Sequence, residues 1–481
     1  MNCHYHKVAT IVNLHIIKSS FLKIVIVKGM QRFMGLDMID RFEDSFQRLL
    51  AILSQSLTEA EQFTLQLSGE ISQFTRINRA RVRQTGIVQD GNLQLKLIYQ
   101  QRSSSVTFPF TGDLDIDLPQ MRAALDLLRA EVPQLPVDPY LVIPTGNAIS
   151  REVHRGKLLP DTQVVGELLP VVDGLDFTGL YAAGMLIRAY ADSSGQRHWF
   201  ATESYVLDYS LFTTTGQAVK GTLAGSHWDT AIYQAKIANS KIQLAQLAQS
   251  PRSIDRGQYR TYLAPAAAAD LLGMLSWGGI SEASLQQGRS CFGALQRQEQ
   301  LLSPKLTITE NFQHGLVPRF NELGEIAPAN LTLIDRGQLT NTLINARTAK
   351  EYQKPANGAN QSESLRSAEI SHGDLKVDRI LTTLDTGLYL SNLHYLNWSD
   401  RPTGRITGMT RYACFWVERG EIIAPILNLR FDESLYRCWG NNLIALTDTL
   451  EFIPEVDTYG GRQLGGSWAP GMLIDNFTYT L

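Results

Sequence analysis

Cysteine is scarce in this chain: four among 481 residues, at positions 3, 291, 414 and 438, and no two form a Cys-x-x-Cys pair. That spacing excludes a disulfide framework and points to a reducing cytoplasm. Surplus charge is also missing, since 44 Lys and Arg stand against 47 Asp and Glu for a net charge of −3. Without a global basic field the chain has nothing with which to hold a polyanion, so no direct nucleic-acid contact is expected. Nor is there a long apolar run. Ile11 to Val27 comes nearest, but Asn13, His15, Lys18 and Lys23 interrupt it, where a membrane span needs about 18 unbroken apolar residues. Met30, Met34 and Met38 each offer another start, so residues 1–38 read as a leader or a mis-assigned start, and no membrane association is expected. The P-loop, the dinucleotide Gly-x-Gly-x-x-Gly, the Gly-x-Ser-x-Gly elbow and His-Glu-x-x-His are all absent.

What remains is an ordinary globular composition, 44% hydrophobic and 19% charged, long enough for two or three domains. Phe42, Phe46, Leu49, Leu50 and Leu53 recur at helical spacing and predict an amphipathic helix over residues 40–53. Residues 62–68, 79–85 and 93–99 alternate with period two and predict an antiparallel sheet, with Asp90-Gly91-Asn92 read as a turn. Arg76, Arg79, Arg81 and Arg83 raise phosphate binding, but in a slightly acidic chain a solvated sheet face is the better reading. A helix over 121–132 and the stiff Pro-rich run 133–139 close an N-terminal α+β domain, residues 39–135.

A central β-rich region, 136–255, follows. Residues 180–191 and 198–213 form a long hairpin across Asp192-Ser193-Ser194-Gly195, and 228–247 a helix before Ser250-Pro251. Beyond it, Arg260 to Ala264 is a short strand, and Pro265 opens a helix with Leu271, Leu272, Met274 and Leu275 on its buried side. Tyr412 to Val417, the turn Arg419-Gly420 and the run to Leu429 make another hairpin, in which Cys414 is a small buried hydrophobe. The whole is an α+β protein: an N-terminal helix-and-antiparallel-sheet module and a larger C-terminal domain, 256–481, rich in long antiparallel strands.

In that last region the order of Phe320-Asn321-Glu322-Leu323-Gly324-Glu325, Leu333-Ile334-Asp335-Arg336-Gly337-Gln338-Leu339, Leu343 to Ala349 and Gly404 to Ile426 resembles the C-terminal domain of the TldD/PmbA family. Its members were first described as modulators of DNA gyrase and are known as subunits of a zinc peptidase. In the zinc-bearing subunits the helix corresponding to Pro265–Trp277 carries His-Glu-x-x-x-His, and a late cysteine completes the site. Such a site needs imidazole and thiolate for the metal, and a Glu to take a proton from bound water. Here that helix has no histidine, and Asp270 is its sole ionisable residue, a degenerate metal-helix position; no Cys falls near 459–466 either. Among the dispersed histidines, His154, His198, His227, His314, His372 and His394 each read more plainly as hydrogen-bonded residues than as ligands. Gly460-Gly461 and Gly465-Gly466 are read as close backbone approach rather than phosphate binding.

The resemblance is therefore to the metal-free, PmbA (TldE) type. It implies that this chain binds no cofactor, holds no catalytic or metal residue, and pairs with a zinc-bearing TldD-type subunit that contains the zinc. Their joint chamber would degrade unfolded or leader peptides, an extended peptide adding as a strand to a sheet edge. Arg347, Asn357, Asn360 and Arg411 are the candidate peptide contacts, with Asn392 to Trp398 as a groove wall. Each has a plainer reading, as an ion pair, stack, turn or core strand. The alternative is a non-catalytic homodimer, a peptide-binding or scaffold protein that has lost the peptidase role.

Overall fold

The computed structural model describes residues 22–458 and 460–480. Helix α1 (Leu22–Ser56) contains the expected amphipathic stretch, and Phe42, Phe46, Leu49, Leu50 and Leu53 are all buried. They lie on one face of a seven-stranded sheet built from β1 (Glu61–Asn78), β2 (Arg81–Tyr99), β3 (Arg102–Pro109), β4 (Ile149–His154), β5 (Asp176–Asp192), β6 (Arg197–Phe212) and β7 (Ala218–Gly225). Helix α2 (Leu114–Glu131), capped by the Asp113 carboxylate, adds Met121, Leu125 and Leu128 to the same core. Each such side chain contributes on the order of 2 kcal/mol when fully buried.

The sheet differs from expectation in two places. Strand β2 runs straight through Asp90-Gly91-Asn92, paired with Glu70, Gly69 and Ser68. Gly91 serves a close approach instead of a turn: its carbonyl accepts from Phe110 N at 2.7 Å, and a Cβ there would stand 2.6 Å from the Phe110 carbonyl oxygen. The reversal lies at Arg79 and Ala80, both with φ near +50° (52° and 51°), a left-handed pair without the usual Gly or Asn. Secondly, the strand order β3-β2-β1-β5-β6-β4, with β7 beside β6, joins strands from both sides of residue 135. The division drawn there runs through one sheet. Arg76, Arg79, Arg81 and Arg83 are exposed, as a solvated face requires. Helices α3 (Asp161–Leu168) and α4 (Thr230–Leu247) pack against residues of the 176–212 hairpin, which forms β5 and β6 of the sheet.

Thirteen strands follow: β8 (Gly257–Leu263), β9 (Ile308–Asn311), β10 (Asn330–Asp335), β11 (Gln338–Leu339), β12 (Ser367–Ile370), β13 (Gly387–Asp400), β14 (Arg405–Glu418), β15 (Glu421–Pro425), β16 (Arg430–Ser434), β17 (Leu443–Leu446), β18 (Glu451–Pro454), β19 (Gly466–Ala469) and β20 (Met472–Tyr479). One sheet has the order β11-β10-β9-β12-β19-β18. The other, β13-β8-β20-β16-β14, closes on itself because β13 also pairs with β14. Closure covers the outer edge of β13 only over Leu388 to Leu390, where β8 pairs with it. Helix α5 (Pro265–Gly273) packs Ala267, Ala268, Leu271 and Leu272 into the large core between them. Cys414 is buried there, its thiol pushed up to about 11 by burial. No helix among the described residues is long and apolar enough to cross a membrane.

The two parts are joined by a shared core, in which Ala413 and Phe415 of β14 meet Phe177, Tyr181 and Tyr209, and by one buried arginine. Arg462, 8% exposed, projects from the glycine-rich loop into the N-terminal sheet. Its guanidinium donates to Ser72 Oγ at 2.9 Å and to the carbonyl and hydroxyl of Ser204 at 2.9 and 2.8 Å, while Glu70 accepts from its backbone N–H at 3.0 Å. Burial draws the guanidinium down to about 10, opposed by the Glu70 charge. Arg462→Ala, which leaves Glu70 without its cation and two serines without donors, is expected to cost about 3–5 kcal/mol. Urea unfolding of the full chain checks this, and Arg462→Lys recovers only part because one ammonium cannot reach all the acceptors.

Candidate functional site

A cleft of about 1320 Å³ opens between the two parts. Its C-terminal wall is α5 and the 391–396 segment of β13; Glu451, Ile453 and Pro454 of β18 also line it, and β7 and α4 face them from the N-terminal side. Lys236 of α4 ion-pairs with Glu451 across this junction. The cleft therefore exists only where the two parts meet.

Helix α5 begins at Pro265, whose missing N–H and fixed φ suit a first helical position. This sets Ala266, Ala269, Asp270 and Gly273 along the cleft. Asp270 is half-buried, and its Oδ2 accepts from the backbone N–H of Leu393 at 3.0 Å. Burial raises the carboxyl to about 7, partly offset by that hydrogen bond. The partner strand β8 stops at Leu263, so β13 beyond Leu390 has no strand on its α5 side, and Asp270 takes one of the backbone donors left there.

Two β-bulges shape this wall. The β13–β14 register slips between Leu390 and Asn392, leaving Tyr412 looped out, and again between His394 and Asn397, at Tyr395. Both tyrosines adopt left-handed backbone, φ +64° and +52°, and both line the cleft. Bulges re-aim side chains, and a left-handed aromatic is uncommon enough to mark a constrained position. Tyr395 is 75% exposed and Trp277, beyond the end of α5, 56%. Burial, with the Arg411 charge, lowers the basicity of His394 and favours its neutral ring.

The candidates quoted from the sequence scatter. Asp270 and Asn360 line the cleft. Asn360 is engaged locally: its Oδ1 accepts from Ser364 N at 2.9 Å and its amide donates to Ser364 Oγ at 2.8 Å. Asn357 is structural at both ends, accepting from Ile344 N at 2.9 Å and donating to the Thr342 carbonyl at 2.7 Å. Arg411 stacks its guanidinium over Tyr412, 5.2 Å from the ring centre, and so backs the cleft wall. Arg347, on the short helix Ala346–Tyr352, lies at a different pocket, paired with Asp138 at 2.6 Å. Of the 392–398 stretch, Asn392 to Leu396 line the cleft, and Asn397 and Trp398 do not. Tyr412 was not singled out from the sequence: nothing in an alternating apolar run announces a bulge.

Zinc does not fit this donor set. The only ionisable group of α5 is one carboxyl that holds its proton up to about 7 and already accepts a backbone N–H. Among the described residues no three His, Cys, Asp or Glu side chains gather as a metal site would require. The 460–466 loop, which contains no cysteine, is committed to Arg462 and to backbone packing: a Cβ on Gly466, φ +146°, would lie 2.3 Å from the Ile453 carbonyl oxygen. A carboxyl whose folded pKa is raised favours the folded state while protonated. Wild-type stability should therefore fall relative to Asp270→Asn as pH rises from about 3.8 to about 7, then run parallel. Denaturant titrations of both proteins across that window check it; parallel curves throughout would show that Asp270 titrates normally.

The profile of the PmbA/TldA metallopeptidase C-terminal domain matches residues 256–481. No curated protein sequence matches. Among solved structures, TldE from Thermococcus kodakarensis superposes with a TM-score of 0.72 at 13% identity, covering 91% of this chain and 100% of that one. A candidate modulator of DNA gyrase from Thermotoga maritima gives 0.71 at 14%, covering 91% and 100%, and one from Bacteroides thetaiotaomicron 0.71 at 16%, covering 91% and 98%. These identities speak to fold alone, while the profile speaks to lineage: residues 256–481 are a PmbA/TldA metallopeptidase C-terminal domain.

Proposed function

We propose that this chain is the zinc-free, peptide-holding subunit of a TldD/PmbA-type peptidase, completed by a zinc-bearing TldD-type subunit that supplies the metal and the hydrolytic chemistry. The observation that supports this most is the coincidence, in one cleft, of a helix whose donors do not suit zinc, a strand edge without a neighbour, and two bulge-presented tyrosines. An extended peptide can use the edge for main-chain hydrogen bonds, and Tyr395, Tyr412 and Trp277 offer rings to its side chains. The Leu393 N–H bonded to Asp270 marks the inner end of that edge.

The reading assigns no bond-breaking step to this chain. Asp270 keeps the edge's innermost donor satisfied in the empty cleft, and the tyrosines orient what enters. Unstructured, leader-like peptides are the substrate class, because a folded domain cannot offer a free strand to an edge inside a cleft.

Elemental analysis of the purified chain, alone and with whatever co-purifies from its own cells, is the test. Zinc should appear only with a co-purifying protein that carries His-Glu-x-x-x-His; stoichiometric zinc on the isolated chain would overturn the reading, and a homodimer with no such partner would favour the scaffold alternative. Independently, binding of a fluorescent unstructured peptide to the full chain should weaken about tenfold in Tyr395→Ala, the loss of about 1.4 kcal/mol typical of an aromatic anchor.

A further inference from the structure

Beneath the sheet face opposite α1 lies a second pocket, of about 430 Å³, which the peptide reading does not use. Leu95 and Leu97 of β2 point into the α1 core, so Gln94 and Lys96 point to the other face. Lys96 pairs in register with Ser105 of β3, and its neighbour Ile98 with Ser103, so both serines share that face. Tyr140 to Val142, the Asn321 to Leu323 loop and Arg347 roof it over.

The cations around it are paired or hydrogen-bonded except for one. Asp138 accepts from Arg347 at 2.6 and 3.3 Å and from Tyr140 N at 3.0 Å. Arg347 also meets Glu351 at 3.2 Å, and Lys350 Nζ donates to the Leu141 carbonyl at 2.9 Å. Glu322 accepts from Gln361 N and faces the buried Arg366 charge. Arg347 and Lys350 thus stand against Asp138 and Glu351, and Glu322 lines the pocket with its carboxylate held by the Gln361 N–H. Lys96 remains over: its ammonium makes no hydrogen bond or ion pair with any described residue, and neither do the side chains of Gln94, Ser103 and Ser105. Desolvation lowers the Lys96 pKa, with the Arg347 charge acting the same way and Asp138 against them.

A roofed pocket in which an unpaired ammonium stands beside two free hydroxyls and a free amide, while its one carboxylate, Glu322, is engaged by a backbone N–H, offers donors to a negatively charged group. We infer that it binds a small oxyanion, a carboxylate or a phosphate, through the Lys96 ammonium and the hydroxyls of Ser103 and Ser105. The volume suits a small metabolite-sized molecule and excludes a folded partner.

The full chain is treated with an amine-acylating reagent, with and without inorganic phosphate or acetate, and modification at each lysine is followed by mass spectrometry. Either anion should slow acylation of Lys96 about tenfold at saturation while leaving the exposed Lys241 unchanged. Protection by phosphate alone identifies a phosphate ester, and protection by acetate a carboxylate. Calorimetric titration with the protecting anion should show binding that is lost in Lys96→Met and weakened several-fold in the Ser103→Ala/Ser105→Ala double variant, which keeps the lysine and guards against a folding defect. Failure of both anions to protect Lys96, or undiminished binding in the variants, overturns the proposal.

Discussion

A buried guanidinium holds this molecule together. Arg462 crosses from the C-terminal part into the centre of the N-terminal sheet, where it meets strands β1 and β6 at Ser72 and Ser204. An arginine out of water is costly unless its donors are used and its charge opposed; here Ser72 and Ser204 take the two terminal nitrogens, Glu70 opposes the charge, and Nε alone goes without a partner among the described residues. The cleft inherits its shape from this arrangement. With the 460–466 loop fixed against the sheet, β18 and β7 are set face to face, and Lys236 can reach Glu451.

The N-terminal helix, the 176–212 hairpin, the 404–426 hairpin and the strand-to-helix step at Pro265 were legible because their signals are local: helical spacing of Phe and Leu, period-two alternation, and a proline where a helix begins. Other features were not. Gly91 has turn neighbours, yet it is glycine because Phe110 of a distant segment crosses it. Arg79-Ala80 makes a left-handed turn that neither residue type favours, and the sheet's twist supplies the preference instead. Whether residues 39–135 stood apart from 136–255 depended on the pairing of β1 with β5, a contact between segments about a hundred residues apart that no local pattern encodes.

The site was legible in a different way. That α5 has no histidine, and that Asp270 is its lone ionisable group, is visible in the residues themselves. That Asp270 borders a cleft, takes the Leu393 N–H and holds a proton near neutrality comes only from packing. Arg347 shows the opposite case: an arginine picked for its position in the family's segment order proves to roof another pocket, whose unmatched charge belongs to Lys96, a residue with no motif around it.

The closed C-terminal sheet has a consequence for how the protein comes into being. Strand β20 sits between β8 and β16, and Arg462 precedes it by only ten residues. As the chain leaves the ribosome, the N-terminal sheet can fold early, but the barrel lacks an interior stave until Met472–Tyr479 has emerged. Until then β8 and α5 have no finished core against which to settle, and the cleft has only one wall. A chain cut short of Met472 would thus expose strand edges that the complete sheet pairs, without ever closing the barrel.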